Sequence, residues 1–298
     1  MDLLDAPDRR PIPLEVRVEL AHAAVAALSR QSAIRVLVLK GPAMDPSVAP
    51  SGRSSSDVDV LVSPKELAAW LATLGEHGWR PMDRFETGSS FEHSQTFHHD
   101  VWGHLDVHRV VPGIALDPAQ AFEQLWESRV RAPLAGSAIP VPTPAAQALI
   151  LCLHAARSHG SQRAARDLDY AWTRATPERQ AEILAWVQSL DAHLGWAAAT
   201  GHLDDYRDDP AYLLWVVASR GGTRLQEWRA RIAAAPTPRT KMRVAARSIL
   251  VNTDSLTIRL GRRPTRTEII GALGRRAHVA ALEIARGVTR RLRRGGPR

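Results

Sequence analysis

The chain has 298 residues, of which 45% are hydrophobic and 23% are charged, and its formal net charge is +8. This length is enough for a full hydrophobic core and predicts two domains. No apolar run approaches the ~20 residues of a membrane-spanning helix, and the single cysteine, Cys152, excludes a disulfide within the chain. These features predict a cytoplasmic protein that does not span a membrane.

The positive charge is concentrated at the C-terminal end of the chain. Residues 259–298 contain twelve arginines against Glu268 and Glu283, a local balance of +10. The remaining 27 basic and 29 acidic side chains nearly cancel, so the body of the protein lacks the charge of a nucleic-acid groove. We predict a basic, disordered tail over 286–298. Nucleic acid would bind only through this tail, and a tail that is merely solvated is the alternative.

Apolar periodicity predicts alternating helices and strands up to about residue 140. The predicted strands span 34–39, 57–62, 79–84, 91–98 and 103–109, and the predicted helices span 14–29, 63–77 and 118–126. The helix over 63–77 takes Ser63 as its N-cap and Pro64 as its first residue. Together the strands predict a small mixed sheet.

The character of the chain changes after the prolines of residues 140–144, and we place a domain boundary there. From residue 145 the sequence is rich in Ala, Leu, Trp and Arg with a period of about 3.6 residues, which predicts a helical bundle. The predicted divisions are a first domain over 1–140, a helical domain over 141–285 and the tail. The predicted fold class is α+β.

Two carboxylates stand side by side on the predicted strand 57–62. Asp57 and Asp59 point to the same face because side chains in a strand repeat with period 2. Adjacent carboxylates repel each other and are costly to bury, and a divalent cation such as Mg²⁺ removes both problems. A surface strand can also carry such a pair without any function. Asp106 on a further apolar strand favours the metal site, because it supplies the third carboxylate of a two-metal phosphoryl-transfer centre.

The order of these motifs resembles a known family. The motifs, in chain order, are Lys40-Gly41, Arg53, Asp57-Val58-Asp59 and Leu105-Asp106-Val107-His108. Over about residues 33–170 the chain resembles the bacterial nucleotidyltransferase-like family of the polymerase-β superfamily, most of whose members are uncharacterised. The resemblance implies a polymerase-β-like nucleotidyltransferase domain followed by an all-helical domain, with the acceptor bound between them.

The resemblance also implies a reaction and its cofactors. A nucleoside monophosphate, with AMP as the expected group, would pass from an NTP, expected to be ATP, to a hydroxyl on a small molecule, peptide or protein. Pyrophosphate would be released. Asp57, Asp59 and Asp106 would hold two Mg²⁺ ions, and Asp106 would also orient the acceptor hydroxyl or accept its proton.

The glycine turn departs from the superfamily pattern. Superfamily members hold the triphosphate with a Gly-Ser pair, and this chain has Lys40-Gly41 instead. The phosphate contacts are assigned to Lys40, the amide of Gly41 and Arg53. The departure motivates an alternative function, a non-catalytic partner that keeps the fold, as in a toxin–antitoxin pair. RNA-end modification is a second alternative, supported by the Arg-rich tail alone.

Three further side chains have two interpretations each. His108 could support the carboxylates or contact the acceptor, or it could face solvent on its strand. His154 lies in an apolar helix, where a hydrogen-bonded core histidine is the ordinary interpretation, and Asp167 could belong to a surface ion pair. The resemblance places His154 and Asp167 on the acceptor side of the cleft. The histidines within 98–104 lack the spacing of a tetrahedral site, so zinc is not predicted.

Overall fold

The computed structural model describes residues 12–50, 52–250, 252–260, 262–276 and 278–279, so the predicted tail lies outside the described residues. The strands are β1 (Val36–Lys40), β2 (Asp57–Val62), β3 (Arg80–Pro81), β4 (Ser94–His99), β5 (Gly103–His108), β6 (Val130–Leu134) and β7 (Ser137–Val141). The helices are α1 (Leu14–Ser32), α2 (Leu67–Glu76), α3 (Phe85–Gly88), α4 (Pro118–Glu127), α5 (Pro144–Ala156), α6 (Gln162–Leu168), α7 (Pro177–Ser189), α8 (His193–Thr200), α9 (Tyr212–Arg220), α10 (Arg224–Ala234), α11 (Pro238–Ile249) and α12 (Thr253–Leu260).

The first five strands form a mixed sheet in the order β1-β2-β5-β4-β3. β2 and β5 run parallel, and the other neighbouring pairs are antiparallel. The mixed sheet predicted from the sequence is therefore confirmed. The edge strand β3 is shorter than predicted, because the Asp83 carboxylate accepts the backbone N–H of Thr96 in place of the next ladder bond.

Helices cover both faces of this sheet. On one face the three valines of β2 are fully buried and pack with Trp70 and Leu74 of α2. On the other face Leu61, together with Leu37 and Leu39 of β1, lies in a second core that includes α5. The alternation along β2 produces both faces, as the sequence predicts. The carboxylates of β2 occupy the second face at the start of the strand.

The predicted start of the helix at Ser63-Pro64 is wrong. α2 begins at Leu67, after a turn in which the backbone N–H of Glu66 bonds the carbonyl of Ser63 at 2.9 Å. The Glu66 carboxylate pairs with the guanidinium of Arg35 at 3.0 Å. This long-range ion pair fixes Glu66 in the turn, and local capping preferences cannot anticipate it.

Two further differences concern strands. β4 begins at Ser94 rather than at residue 91, because Glu92 adopts the left-handed region with φ of 51° and cannot continue an extended strand. The hairpin of β6 and β7 was not predicted. Its prolines, Pro133 and Pro140, are tolerated because both strands of a two-stranded sheet are edge strands.

The chain passes from β7 into α5 without leaving the core. Thr143 caps α5 by accepting the N–H of Ala146, and Pro144 occupies the first position of the helix. Leu149 and Leu151 of α5 are fully buried in the core shared with β1 and β2. From α5 onward the described elements are helical, as predicted, and the division at residue 140 stays a prediction. Within the described ranges, no helix is long and apolar enough to cross a membrane.

Candidate active site

A bulge at the end of β1 redirects Lys40. Val38 lies opposite Val60, but Lys40 lies opposite Asp59, so β1 has one extra residue between these two pairs. A bulge of this kind turns the following side chain toward the other face of the sheet. The Nζ atom of Lys40 reaches Oδ1 of Asp59 at 2.9 Å, and the side chains are only 11% and 7% exposed.

Asp59 and Asp106 are neighbours on parallel strands. They are register partners in β2 and β5, so their side chains share one face of the sheet. Thr96, opposite Asp106 on β4, donates its hydroxyl to Oδ1 of Asp106 at 2.7 Å. His108 Nε2 donates to Oδ1 of Asp59 at 2.8 Å. Potential ligand atoms of Asp59, Asp106 and His108 lie within 4.8 Å of one another.

The two carboxylates have opposite pKa shifts. Burial alone would raise the pKa of Asp59, but the charge of Lys40 and the hydrogen bond from His108 outweigh it and hold that pKa well below its usual range. Burial and the negative charge of Asp59 raise the pKa of Asp106 to about 7, against the lowering effect of the Thr96 hydroxyl. At neutral pH Asp59 is ionised, and Asp106 is close to its titration midpoint.

Asp57 lies on the same face as Asp59 but outside this group of three. It is half-buried at the start of β2, in register with His104 of β5. The hydroxyl of Ser56 donates to its carboxylate at 3.4 Å. Its role as a metal ligand stays a prediction.

The glycine turn packs on a buried histidine of α1. Gly41 has φ of 106°, a region that glycine adopts readily, and a Cβ at this position would come within 2.6 Å of Nε2 of His22. His22 is fully buried and donates Nδ1–H to the carbonyl of Val18 at 2.7 Å. Burial lowers the pKa of His22, so a neutral imidazole supports the turn at the end of β1.

Two predicted site residues from distant parts of the sequence bind each other. Nε of Arg53 lies 3.1 Å from both carboxylate oxygens of Asp167, and the side chains are 10% and 3% exposed. The pair joins the loop before β2 to α6. Breaking a buried ion pair is strongly unfavourable, so this contact competes with the phosphate role predicted for Arg53, and the roles of both residues stay predictions.

The C-terminal end of α5 places an imidazole, His154, and a guanidinium, Arg157, near Lys40 and His108. Burial, together with the charges of Lys40 and Arg157, lowers the pKa of His154 to about 3. Arg157 follows the last residue of α5 and donates Nη1–H to Nε2 of His93 at 3.0 Å. The His93 ring lies 5.1 Å from the ring of His108. His108 is only 3% exposed, which excludes its interpretation as a solvent-facing histidine.

The sequence analysis missed four side chains of this region, namely His22, His93, Thr96 and Arg157. Thr96 reaches the site through the register of β4 on β5, and His93 reaches it from the turn before β4. No local sequence pattern specifies either feature. His22 is one of several residues on a helix face and carries no distinguishing signal. Arg157 follows His154 by three residues, and this spacing places both on one side of a helix. That signal is present in the sequence.

The paired carboxylates fit a hard divalent cation. Among the described residues, the contacts from Lys40, His108 and Thr96 all fall on Oδ1 of their carboxylate. Oδ2 of Asp59 and of Asp106 can therefore ligate a cation, while His108 supports Asp59 through its N–H. Two carboxylates, completed by phosphates of a substrate, form a donor set suited to Mg²⁺. A cation there would also relieve the repulsion that raises the pKa of Asp106.

A family model described as "Uncharacterised nucleotidyltransferase" matches residues 17–199, which is more than half of the chain. The chain belongs to this nucleotidyltransferase family. The matched residues include β1 to β7, α5 and α6, and so every side chain of the site described above. The predicted family resemblance and the predicted α+β nucleotidyltransferase fold are confirmed.

Solved structures similar to this chain include an antibiotic-resistance factor and an antibiotic adenylyltransferase. The antibiotic-resistance factor ANT(2'')-Ia matches with a TM-score of 0.43 and 16% identity over 60% of this chain and 96% of its own. The lincosamide antibiotic adenylyltransferase LnuA matches with a TM-score of 0.38 and 15% identity over 51% of this chain and 95% of its own. A nucleotidyltransferase-like protein from Paracoccidioides brasiliensis matches with a TM-score of 0.35 and 15% identity over 63% of this chain and 92% of its own. No curated protein matches the sequence.

Proposed function

We propose that this nucleotidyltransferase transfers a nucleoside monophosphate from an NTP to an acceptor hydroxyl in a Mg²⁺-dependent reaction that releases pyrophosphate. The observation that carries the proposal is the pairing of Asp59 with Asp106, in register on parallel strands and near the glycine turn. Nucleotidyl transfer depends on positioning and on charge stabilisation rather than on covalent chemistry by the protein. Paired carboxylates supply both when they hold a cation.

The chain's own residues have distinct proposed roles. Asp57, Asp59 and Asp106 would hold two Mg²⁺ ions, which supply charge neutralisation at the phosphates and lower the pKa of the acceptor hydroxyl. Asp106 would also orient the acceptor hydroxyl or accept its proton. Lys40 and the amide of Gly41 would contact the triphosphate, with ATP as the expected donor.

The remaining proposed roles concern the phosphates and the acceptor. Arg53 would add a phosphate contact, which requires its ion pair with Asp167 to open or to be shared. His108 keeps Asp59 in place through its hydrogen bond. His154 of α5 and Asp167 of α6 would lie on the acceptor side of the predicted cleft, as the family resemblance implies.

A second candidate function has one specific observation in its favour. The ammonium of Lys40 lies 2.9 Å from Asp59, so it already neutralises a carboxylate that a metal ion would otherwise neutralise. A non-catalytic member of the family, which binds nucleotide or another protein without Mg²⁺, would have this arrangement. RNA-end modification rests on residues 286–298, outside the described ranges, and gains no support here.

Calorimetry with ATP, GTP, CTP and UTP, each with and without Mg²⁺, separates these functions. The variants are Asp59→Asn and Asp106→Asn. Asp100→Asn is the matched control. Asp100 lies on the turn between β4 and β5, and its exposed carboxylate pairs with Arg80 of β3. Pyrophosphate release with each NTP is measured on the same samples.

The proposed transferase binds one NTP only with Mg²⁺, and both site variants lose this binding while Asp100→Asn keeps it. Binding that needs no Mg²⁺ and survives Asp59→Asn would favour the non-catalytic function. If the folded wild type binds no NTP under either condition, the nucleotidyl-transfer proposal is wrong.

A further inference from the structure

Arg157 lies between the carboxylate site and a separate cavity. The cavity has a volume of about 320 Å³ and is lined by Arg157, by residues 89–91 and by residues of α9 and α10. On its other side, Arg157 bonds His93, whose ring packs against His108, and His108 bonds Asp59. Arg157 therefore connects the cavity to the carboxylates through two imidazoles.

The hydrogen bonds of His93 define its charge state. A guanidinium can only donate, so His93 Nε2, which lies 3.0 Å from Nη1 of Arg157, must carry a lone pair. The ring proton is then on Nδ1, which lies 2.6 Å from the hydroxyl oxygen of Ser89. His93 is consequently neutral. Burial and the charge of Arg157 lower its pKa, in agreement with this assignment.

A neutral partner orients Arg157 without cancelling its charge. Two other arginines with little side-chain exposure are paired with carboxylates, Arg53 with Asp167 at 3.1 Å and Arg231 with Glu92 at 2.8 Å. Within the part of the chain that the structure describes, Arg157 has no carboxylate within 4.0 Å, and its buried Nε has no hydrogen-bond partner. Burial lowers the pKa of Arg157 to about 10, so the side chain still carries its charge at neutral pH.

The rest of the cavity wall is apolar or already paired. Phe91, Leu214 and Val217 contribute apolar surface. Glu227 is the one carboxylate among the lining residues, and it accepts the hydroxyl of Ser90 at 2.6 Å and lies 3.9 Å from a nitrogen of Arg231. The cavity thus offers a guanidinium without a directly paired carboxylate beside an apolar wall, and Asp59 and Asp106 act on its charge only from a distance. This arrangement selects a ligand with an anionic group attached to an apolar body.

We propose that this cavity binds the acceptor, and that Arg157 binds an oxyanion, such as a carboxylate or a phosphate, on that acceptor. The inference rests on the proposed function, since it assigns the second substrate of the same site. The lining residues include none from the glycine turn or from β2, where the phosphate contacts and metal ligands of the donor are proposed, and this separation is the reason for assigning the cavity to the acceptor. Acceptors are therefore anionic small molecules or acidic peptides rather than polycations.

Three probes with one apolar body and different head groups test the charge preference. Binding of 3-phenylpropionate, 3-phenylpropylamine and 3-phenylpropanol is measured by ligand-observed NMR on wild type, Arg157→Met, Arg157→Lys and Arg166→Met. Arg166 is an exposed arginine of α6 and serves as the matched control. Circular dichroism shows whether each variant is folded.

The carboxylate should bind wild type and Arg166→Met at least tenfold more tightly than the amine or the alcohol. It should bind Arg157→Lys more weakly and Arg157→Met not at all. Equal binding of the three probes, unchanged carboxylate binding in folded Arg157→Met, or no carboxylate binding to wild type would each overturn the inference.

Calorimetry with Mg²⁺ and ATP, or whichever NTP binds wild type, separates this inference from the proposed function. Arg157→Met should bind the nucleotide within twofold of wild type. A loss of tenfold or more would place Arg157 on the phosphates of the donor and overturn the acceptor assignment, while the transferase proposal stands. Absence of nucleotide binding by wild type would contradict the transferase proposal, and the selectivity among the three probes would still decide whether the cavity binds anions.

Discussion

Lys40 and Arg157 are both buried cations near His108, and they are held by different kinds of partner. The ammonium of Lys40 contacts an ionised carboxylate, Asp59, at 2.9 Å. The guanidinium of Arg157 contacts a neutral imidazole, His93, at 3.0 Å. One cation therefore has a directly bonded counter-ion, and the other is bonded to a group without charge.

This difference separates stability from binding. A buried ion pair loses much of its stabilisation when one partner is removed, because the other charge remains in a medium of low polarity. A buried charge without a counter-ion is costly to the protein and becomes favourable only when a ligand supplies the opposite charge. The pair at Lys40 should therefore matter most for folding, and Arg157 should matter most for ligand binding.

The largest effect on stability is expected for Lys40→Met. This variant leaves Asp59 buried with only the hydrogen bond from His108, and the free energy of unfolding at pH 8 should fall by about 3 kcal/mol. The folded-state pKa of Asp59 would rise without the Lys40 charge. The loss should then be smaller at pH 5 than at pH 8, because a protonated carboxyl tolerates burial. Urea unfolding at the two pH values measures the change.

The double variant Lys40→Met/Asp59→Asn controls for the volume of the side chain. Removing both charges should restore at least half of the lost stability, since an amide at residue 59 leaves no unpaired charge. If Lys40→Met is as stable as wild type, the ammonium and carboxylate do not form the stabilising pair described here, and the contrast with Arg157 disappears.

The affinity for Mg²⁺ should depend on pH through Asp106. Burial and the charge of Asp59 raise its pKa to about 7, and a carboxyl group must lose its proton to ligate a cation. The affinity should rise about tenfold between pH 6 and pH 8, mostly below pH 7.5. Isothermal calorimetry in buffers of different ionisation enthalpy would show nearly one proton released at pH 6.

The raised pKa of Asp106 also predicts how the stability of the metal-free protein changes with pH. The pKa of Asp106 is higher in the folded than in the unfolded state. Its protonated carboxyl therefore contributes fully to the free energy of unfolding below about pH 4, and this contribution is lost as the pH rises toward 7. Saturating Mg²⁺ should reduce that loss. Asp106→Asn should remove this pH dependence of the free energy of unfolding between about pH 4 and 7, and a persistent dependence in this variant would assign the proton to another group.

The smallest effect on stability is expected for Arg157→Met. Methionine keeps the apolar part of the side chain and removes an unpaired buried charge, while Nε2 of His93 loses its donor. These changes oppose each other, so the free energy of unfolding should change by less than about 1 kcal/mol. A loss in urea unfolding as large as that of Lys40→Met would show that Arg157 is a structural cation.

Local patterns in the sequence predict much of the sheet and its carboxylates. The alternation of valine and aspartate in β2 places Asp57 and Asp59 on one face, and the structure buries the valines on the other. The helical character after residue 145 follows from apolar spacing in the same way. Such patterns repeat over a few residues and are visible without knowledge of the fold.

Pairing across the sheet and between distant elements is set by the tertiary structure. The bulge that turns Lys40 toward Asp59, and the ion pair of Arg53 with Asp167, depend on contacts between residues far apart in the chain. The charge of the Arg157 cavity depends on His93 as its partner, and the sequence pattern does not reveal that contact. The sequence by itself therefore determined the elements and which faces bear carboxylates, because side-chain periodicity is a local property. Only the tertiary structure decided which charges are cancelled and which remain for a ligand, because each partner comes from a different element.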